Sequence, residues 1–341
     1  MGFATLRPVI AVALATALAG CLVQDPVEPY GGPTMGSTYS VKYVRADGTP
    51  APDELKRRTD AFLAQLDAEV STYRGDSWVQ GFNALPAGRC AAMPDSVREM
   101  IALGESLSTS SGGAFDLTLE PLLEVWGFGP HGKVDHLPSG EAIAAARQRT
   151  GHQHLQVRDG ELCKDRDVAL DFNAIAAGYA VDRVSALLEA AGVTSYLVEI
   201  TGELKARGRK PDGEPWRIAI EAPRENERSA QRIVELDGHT ISTSGDYRNY
   251  FEQDGKRYSH TLDPSTGAPI EHRLASVTVA ADSALRADGL STLLMVLGPE
   301  RGLAYAERHA IAAFFIVRDD AGFNIESTGA FEALFGAGGT Q

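Results

Sequence analysis

The stretch RADGLSTLLMV, Arg286 to Val296, sets a carboxylate in a run that otherwise belongs in a hydrophobic core. Its spacing predicts a helix with Asp282 or Ser283 as N-cap and Gly298-Pro299 as the stop. At about 100° per residue, Leu285, Asp288, Thr292, Met295 and Val296 share one face, while Leu290, Leu293, Leu294 and Leu297 lie on the others. A helix apolar nearly all round is a buried helix, so the fold must enclose Asp288 and also neutralise it, because an unpaired buried carboxylate costs several kcal/mol. An ion pair with Arg286 or a distant lysine would satisfy it, and so would a metal. Oxygens spaced i, i+4, from Asp288 and Thr292, suit a hard cation such as Mg²⁺ or Ca²⁺, and no His or Cys stands nearby to attract zinc. The residues alone leave both readings open.

The 341 residues, 43% of them apolar, supply enough core for one large domain or two smaller ones. A formal charge of −14, with no Lys/Arg-rich block, argues against nonspecific nucleic-acid binding. At the N-terminus Arg7 precedes the alanine-rich stretch VIAVALATALAGC, which is too short for a membrane-spanning helix. Leu18-Ala19-Gly20-Cys21 reads as a lipoprotein cleavage box. It predicts a signal peptide over 1–20, a lipidated Cys21 opening a Pro/Gly-rich tether over 21–33, and one domain over 34–337. The body would then be lipid-anchored in the cell envelope, facing the periplasm. Leu22, where an aspartate would signal inner-membrane retention, favours the outer membrane. Cys90 and Cys163 sit in no CxxC pattern, and an oxidising compartment would allow them to pair.

STYSVKYV alternates like a strand. Helices are predicted over PDELKRRTDAFLAQLDAEVSTY with Asp53 as cap, and over PDSVREMIALGESLSTSSGG, closed by Gly112-Gly113. A strand DVALDF leads, through Asn173 as a cap, into a helix ending at Gly192. The second half reads as strands on tight turns, including RIVEL–Asp237-Gly238–HTIST and RNYFEQ–Asp254-Gly255–KRYSHTL. Helices and hairpins mix without βαβ alternation, which predicts an α+β single domain.

Three further constellations stand out. In LDFNAIAAGYAVD, Asp171 ends a strand, Gly178 would let a ligand approach the backbone, and a helix N-terminus offers an anion site for a diphosphate. Thr243-Ser244-Gly245 reads as a small polar turn able to cradle phosphate, and His260 shares a strand face with Tyr258 and Leu262. GGAFDLTLEPLLEVWGFG, dense in glycine and aromatics, reads as a ring-lined pocket or a packing corner. No GxSxG, Walker, HExxH or Rossmann pattern occurs in workable context.

Taken in order, TMGSTYSV, STYRGDS with Phe82-Asn83, GGAFDLTLEPLLEVWGFG, LDFNAIAAGYAVD, YLVEITGEL, STSGDYRNYFEQDGKRYSHTLDPSTGAPI and SVTVAADSALRADGLSTLLMVLG resemble the FAD:protein FMN transferase (ApbE) family over nearly all of the chain after the tether. The resemblance implies an α+β domain related to the T-fold. It also implies Mg²⁺-dependent transfer of FMN from FAD to a threonine hydroxyl of a target protein, with release of AMP. The implied acceptors are subunits of membrane redox complexes, such as sodium-pumping NADH:quinone oxidoreductase. Carried onto this sequence, Met35, Ala114, Phe115, Asp116, Asp171, Ala177 and Leu262 would contact FAD. Asp288, Thr292 and the Ala174 carbonyl would hold Mg²⁺ with Ser291 nearby, and His260 would be the catalytic base. If the Ala174 carbonyl serves a metal, the following helix should begin later than propensity suggests.

Two departures bear on this. Ala177 stands where many members carry a lysine, so a cationic grip on FAD must come from elsewhere, and MGST replaces the commoner MGT. Two rival readings keep the same scaffold: an FAD diphosphatase with water as acceptor, and a non-catalytic FAD-binding lipoprotein.

Overall fold

The computed structural model describes residues 27–132, 136–224, 229–247, 249–320 and 322–336. The predicted signal peptide, Cys21 and Arg248 lie outside these residues. Eight strands form one sheet in which chain order and spatial order coincide: β1 (Val27–Thr34), β2 (Ser37–Val44), β3 (Tyr196–Ile200), β4 (Glu203–Arg207), β5 (Thr240–Gly245), β6 (Leu274–Ala281), β7 (Ala312–Asp319) and β8 (Gly322–Ser327). Each is antiparallel to the next, so the expected α+β class holds and no crossover is needed. The remaining elements are inserted between neighbouring strands. Residues 27–33, expected as tether, instead form most of β1. Pro29 and Pro33 are tolerated there because β1 is an edge strand, where a missing N–H need not break a ladder.

Four helices cover one face: α1 (Pro52–Val70), α2 (Asp95–Ser111), α3 (Ala176–Ala190) and α4 (Ala284–Arg308). The hairpin of strands Trp216–Glu221 and Ala230–Leu236, with helix α5 (Gly329–Phe335), covers the other. The continuous apolar run of β7 follows from this double cover: Ala313, Phe315 and Val317 join the helical core, while Phe314 and Ile316 join the opposite one. A three-stranded sheet carries Cys90 directly opposite Cys163 between strands Arg89–Ala92 and Glu161–Lys164, and the two are disulfide-bonded.

Several boundaries differ from expectation. Asp53 lies inside the first turn of α1, where it favours the helix dipole, and the N-cap is Ala51 without a side-chain bond. DVALDF has no strand ladder; only Ala169 bridges Leu119. Asp237-Gly238 closes no hairpin. The Gly238 N–H donates to the Ala206 carbonyl at 2.9 Å, passing the chain from the covering layer back into the sheet. Asp254-Gly255 does close its hairpin, both residues having positive φ (53° and 72°), as a two-residue turn requires.

The long helix α4 does not stop at Gly298-Pro299 but kinks there and runs on to Arg308. Pro299 has no N–H for the Met295 carbonyl four residues earlier, and His272 Nε2 bonds that oxygen at 2.8 Å. At the other end Ser283 is the N-cap, accepting from the Arg286 N–H. Asp182 of α3 accepts from Ser283 Oγ (2.8 Å) and from the Leu285 N–H (3.0 Å), which places a carboxylate at the helix N-terminus. The two helices approach so closely at Gly178 that an added Cβ would lie 2.3 Å from the Ala284 carbonyl oxygen. Gly178 thus admits a helix, not a ligand.

Gly178→Ala is accordingly expected to destabilise the protein by about 1–3 kcal/mol through overpacking, read as a lower urea midpoint at unchanged slope. Replacing Cys90 and Cys163 together by serine removes a cross-link spanning 73 residues. The chain-entropy scale puts its contribution at about 4 kcal/mol, and an unchanged midpoint would deny the bond a stabilising role.

Candidate active site

A cleft of about 610 Å³ opens between the two layers where the insertions return to the sheet. It is bordered by the turn Ala114-Phe115-Asp116, the segment entering α3, the β3–β4 turn, the end of β5, the residues from His260 to Leu262, and one face of α4. Six carboxylates line it (Asp116, Asp171, Glu199, Glu203, Glu221 and Asp288), and no Lys or Arg does among the described residues. Any phosphate-bearing ligand there meets a field of its own sign unless a cation accompanies it.

Asp288 is buried at 6% exposure and accepts a 2.8 Å hydrogen bond from the Gly178 N–H. Burial first, and then the neighbouring Glu203 carboxylate, push its carboxyl well above the usual range. Arg286 points to solvent and no described cation reaches Asp288, so the ion-pair reading fails among the described residues. The same bond decides the fate of Ala174. In a regular helix the Gly178 N–H would bond the Ala174 carbonyl, but α3 begins only at Ala176, and no described backbone N–H donates to that carbonyl. Asn173 therefore does not cap α3. Instead Asp171 accepts from the Asn173 N–H (2.8 Å) and Nδ2 (3.0 Å), turning the chain so that Ala174 borders the cleft.

Thr292 lies one turn beyond Asp288 and also lines the cleft, its hydroxyl 3.4 Å from Ser244 Oγ. The Ser291 hydroxyl is 3.2 Å and 2.8 Å from Ser242 and Ser244 and donates to the Asp288 carbonyl at 3.0 Å. A carboxylate, a hydroxyl and a released carbonyl make an all-oxygen donor set suited to a hard cation. Among the described residues no group of three or more His, Cys, Asp or Glu forms a ligand cluster. Thr243-Ser244-Gly245 is not a turn but the end of β5. It runs past β4, which pairs only with Thr240 and Ile241, and borders the cleft.

Burial raises Asp171 to about 6. Asp116 is also pushed up by burial, yet it accepts from the Thr118 N–H and hydroxyl and from the His152 N–H. Both of its oxygens thus hold the turn that presents Ala114 and Phe115. Leu262 is buried and lines the cleft, whereas Met35, in the β1–β2 turn, and Ala177, on α3, do not line it. The aromatic segment turns out to be both pocket and corner. Its start borders the cleft, while Trp126 donates to the Gly267 carbonyl and stacks on Tyr258.

His260 lines the cleft beside Phe128, with its Nδ1 2.9 Å from the Asn249 carbonyl. A carbonyl only accepts, so Nδ1 carries the proton and Nε2 keeps a free lone pair. Desolvation lowers its pKa, favouring this neutral form. The sequence reading missed Glu203, which accepts from Thr201 Oγ1 at 3.0 Å and Ser242 Oγ at 3.4 Å and is itself pushed up by burial. Its signal lay in the tight turn Thr201-Gly202, which pairs Glu203 with Ile200 and so sets it on the face of that buried residue.

The sequence profile described as the ApbE family matches residues 35–315. The chain is 42% identical over 326 residues to a Vibrio cholerae protein named FAD:protein FMN transferase, covering 95% of this chain and 97% of that one. A Salmonella typhimurium protein of the same name is 42% identical over 301 residues, covering 86% and 85%. The crystal structure of Pseudomonas stutzeri flavinyl transferase ApbE in its apo form superposes with a TM-score of 0.87 at 66% identity, covering 93% of this chain and 99% of that one. On sequence and fold alike, the chain belongs to the ApbE family.

Proposed function

We infer that this protein is an FAD:protein FMN transferase that moves FMN from FAD to a threonine hydroxyl of a target protein with Mg²⁺ and releases AMP. The observation carrying this reading is the charge of the cleft: a diphosphate has to sit among six carboxylates without a lysine or arginine from the described lining. Ala177 supplies no cation where the family resemblance leads one to expect a lysine. Asp288, buried without a counterion among the described residues, and Thr292 would hold Mg²⁺ together with the freed Ala174 carbonyl. When bound, the ion would neutralise diphosphate charge and polarise the phosphorus.

The chain's own groups supply the rest. Ala114, Phe115 and Leu262 offer apolar surface for the flavin or adenine ring, and Asp171 shapes the segment that ends at Ala174. Neutral His260, its Nδ1 proton committed to Asn249, takes the threonine proton at Nε2. The threonine oxygen then forms a bond to the FMN phosphorus, the bond to the bridging diphosphate oxygen breaks, and AMP leaves with that oxygen. The predicted lipid anchor at Cys21 would hold the enzyme in the envelope facing the periplasm, near acceptor subunits of membrane redox complexes.

The test incubates the protein with FAD, Mg²⁺ and an acceptor domain bearing a candidate threonine. In-gel flavin fluorescence of the acceptor with stoichiometric AMP is expected. FMN and AMP without labelling would mean hydrolysis, and intact FAD would sink both enzyme readings. Asp288→Ala should lower Mg²⁺-dependent turnover by about a hundredfold or more while the protein stays folded. Unchanged turnover removes Asp288 from the metal site. Because burial lowers the His260 pKa, the acid limb of kcat/KM should fall below the usual histidine value of about 6.5. His260→Gln should abolish that limb and lower kcat by roughly 10²–10⁴-fold.

A further inference from the structure

The backbone just before the site passes through a slot with two unlike walls. On one side Asp171 N–H donates to the Leu117 carbonyl at 2.8 Å and Ala169 bridges Leu119, next to the turn that presents Ala114 and Phe115. On the other side no strand is present among the described residues, and one side chain does a strand's work. Asn83 Nδ2 donates to the Leu170 carbonyl at 3.0 Å, and the Leu170 N–H donates to Asn83 Oδ1 at 2.7 Å. Asn83 is in turn held by Lys164, 1% exposed, whose Nζ donates to the Asn83 carbonyl at 3.0 Å and the Val168 carbonyl at 2.9 Å.

Lys164 is an unusual choice for packing alone. Its ammonium lies 5.2 Å from the Phe82 ring centroid, and the nearest carboxylate, exposed Asp167, is 4.0 Å away. Burial lowers its pKa, the mark of a charge placed where its hydration is lost. Packing alone would be served by an apolar side chain there; two carbonyls from different segments need a donor that spans them.

We propose that Asn83 and Lys164 are positioning residues that clamp Val168–Leu170, so that Asp171 and the Ala174 carbonyl stand ready at the cleft before FAD arrives. Neither residue borders the cleft, so the pair acts through Asp171 and Ala174. The clamp pre-orders a segment that the ligand would otherwise have to order at its own cost in affinity. The inference rests on the flavin reading of the cleft but not on the identity of the acceptor.

The test uses Asn83→Asp, which keeps the shape and the acceptor but loses the donor to Leu170, and Lys164→Met, which keeps most of the volume and loses both carbonyl bonds. FAD affinity is measured by flavin fluorescence without acceptor, together with KM for FAD, the Mg²⁺ concentration for half-maximal rate, kcat and the melting temperature. Each variant is expected to stay folded, with FAD Kd, FAD KM and half-saturating Mg²⁺ raised together by roughly tenfold, equivalent to 1.4 kcal/mol, and kcat at saturation within about twofold. Hydrogen exchange at residues 168–174 should quicken in both. FAD affinity unchanged in a folded variant overturns the proposal, as does a fall in kcat with KM unmoved. If both variants fail to fold, the pair is a folding element and the proposal fails. A wild-type protein that does not bind FAD instead overturns the flavin reading itself.

Discussion

The Gly178 N–H donates to the Asp288 carboxylate across the contact between α3 and α4, and much of the site follows from that one bond. It forms only because the two helices nearly touch, which requires a residue without a Cβ at 178. Forming it takes the Gly178 N–H away from the Ala174 carbonyl, so α3 does not extend back to Ala174 and that oxygen receives no helical hydrogen bond. One contact therefore holds a carboxylate in the interior and frees a second oxygen beside it. Asp182 reinforces the arrangement by capping α4 from α3 while pairing with Lys205 at the sheet.

The surroundings of Asp288 are costly in the absence of a cation. Glu203 faces it through a shared serine, Ser242, and burial pushes both carboxyls upward. Packing chosen only for stability would put apolar groups there. The cost becomes intelligible if a cation binds, because the same carboxylates then become its field and the diphosphate its counter-charge. A cation would also let a chain of net charge −14 take an anionic substrate with no Lys or Arg among the described lining residues.

The meander of eight strands makes this geometry possible. Because successive strands are neighbours, each insertion leaves the sheet and returns beside its own exit. The long insertion between β2 and β3 returns through Asp171 and α3, that between β5 and β6 returns with His260, and α4 crosses between β6 and β7. Three distant segments thus meet at the ends of the central strands β3, β4 and β5. His260 is held by the backbone of Asn249 in its own insertion, so its tautomer is fixed independently of the Asp288 side of the cleft.

Much of this was legible in the chain. The burial of α4, a cap at Asp282 or Ser283, the Asp254-Gly255 hairpin and the α+β class follow from periodicities and turn chemistry that act within a few residues. The family-like segments named candidate site residues, most of which the fold gathers into one cleft. Errors arose where a local signal has two uses. Gly178 reads as room for a ligand but makes room for a helix, Gly298-Pro299 reads as a stop but is a kink rescued by His272, and the Pro-rich stretch before Met35 is an edge strand. The sequence by itself determined that a carboxylate had to be buried on a helix with a hydroxyl one turn away, because helix geometry is local. Only the tertiary structure decided that its partner is an amide 110 residues distant and its neighbour a second carboxylate. Which group answers a buried charge depends on which surfaces the packing of the whole chain brings together.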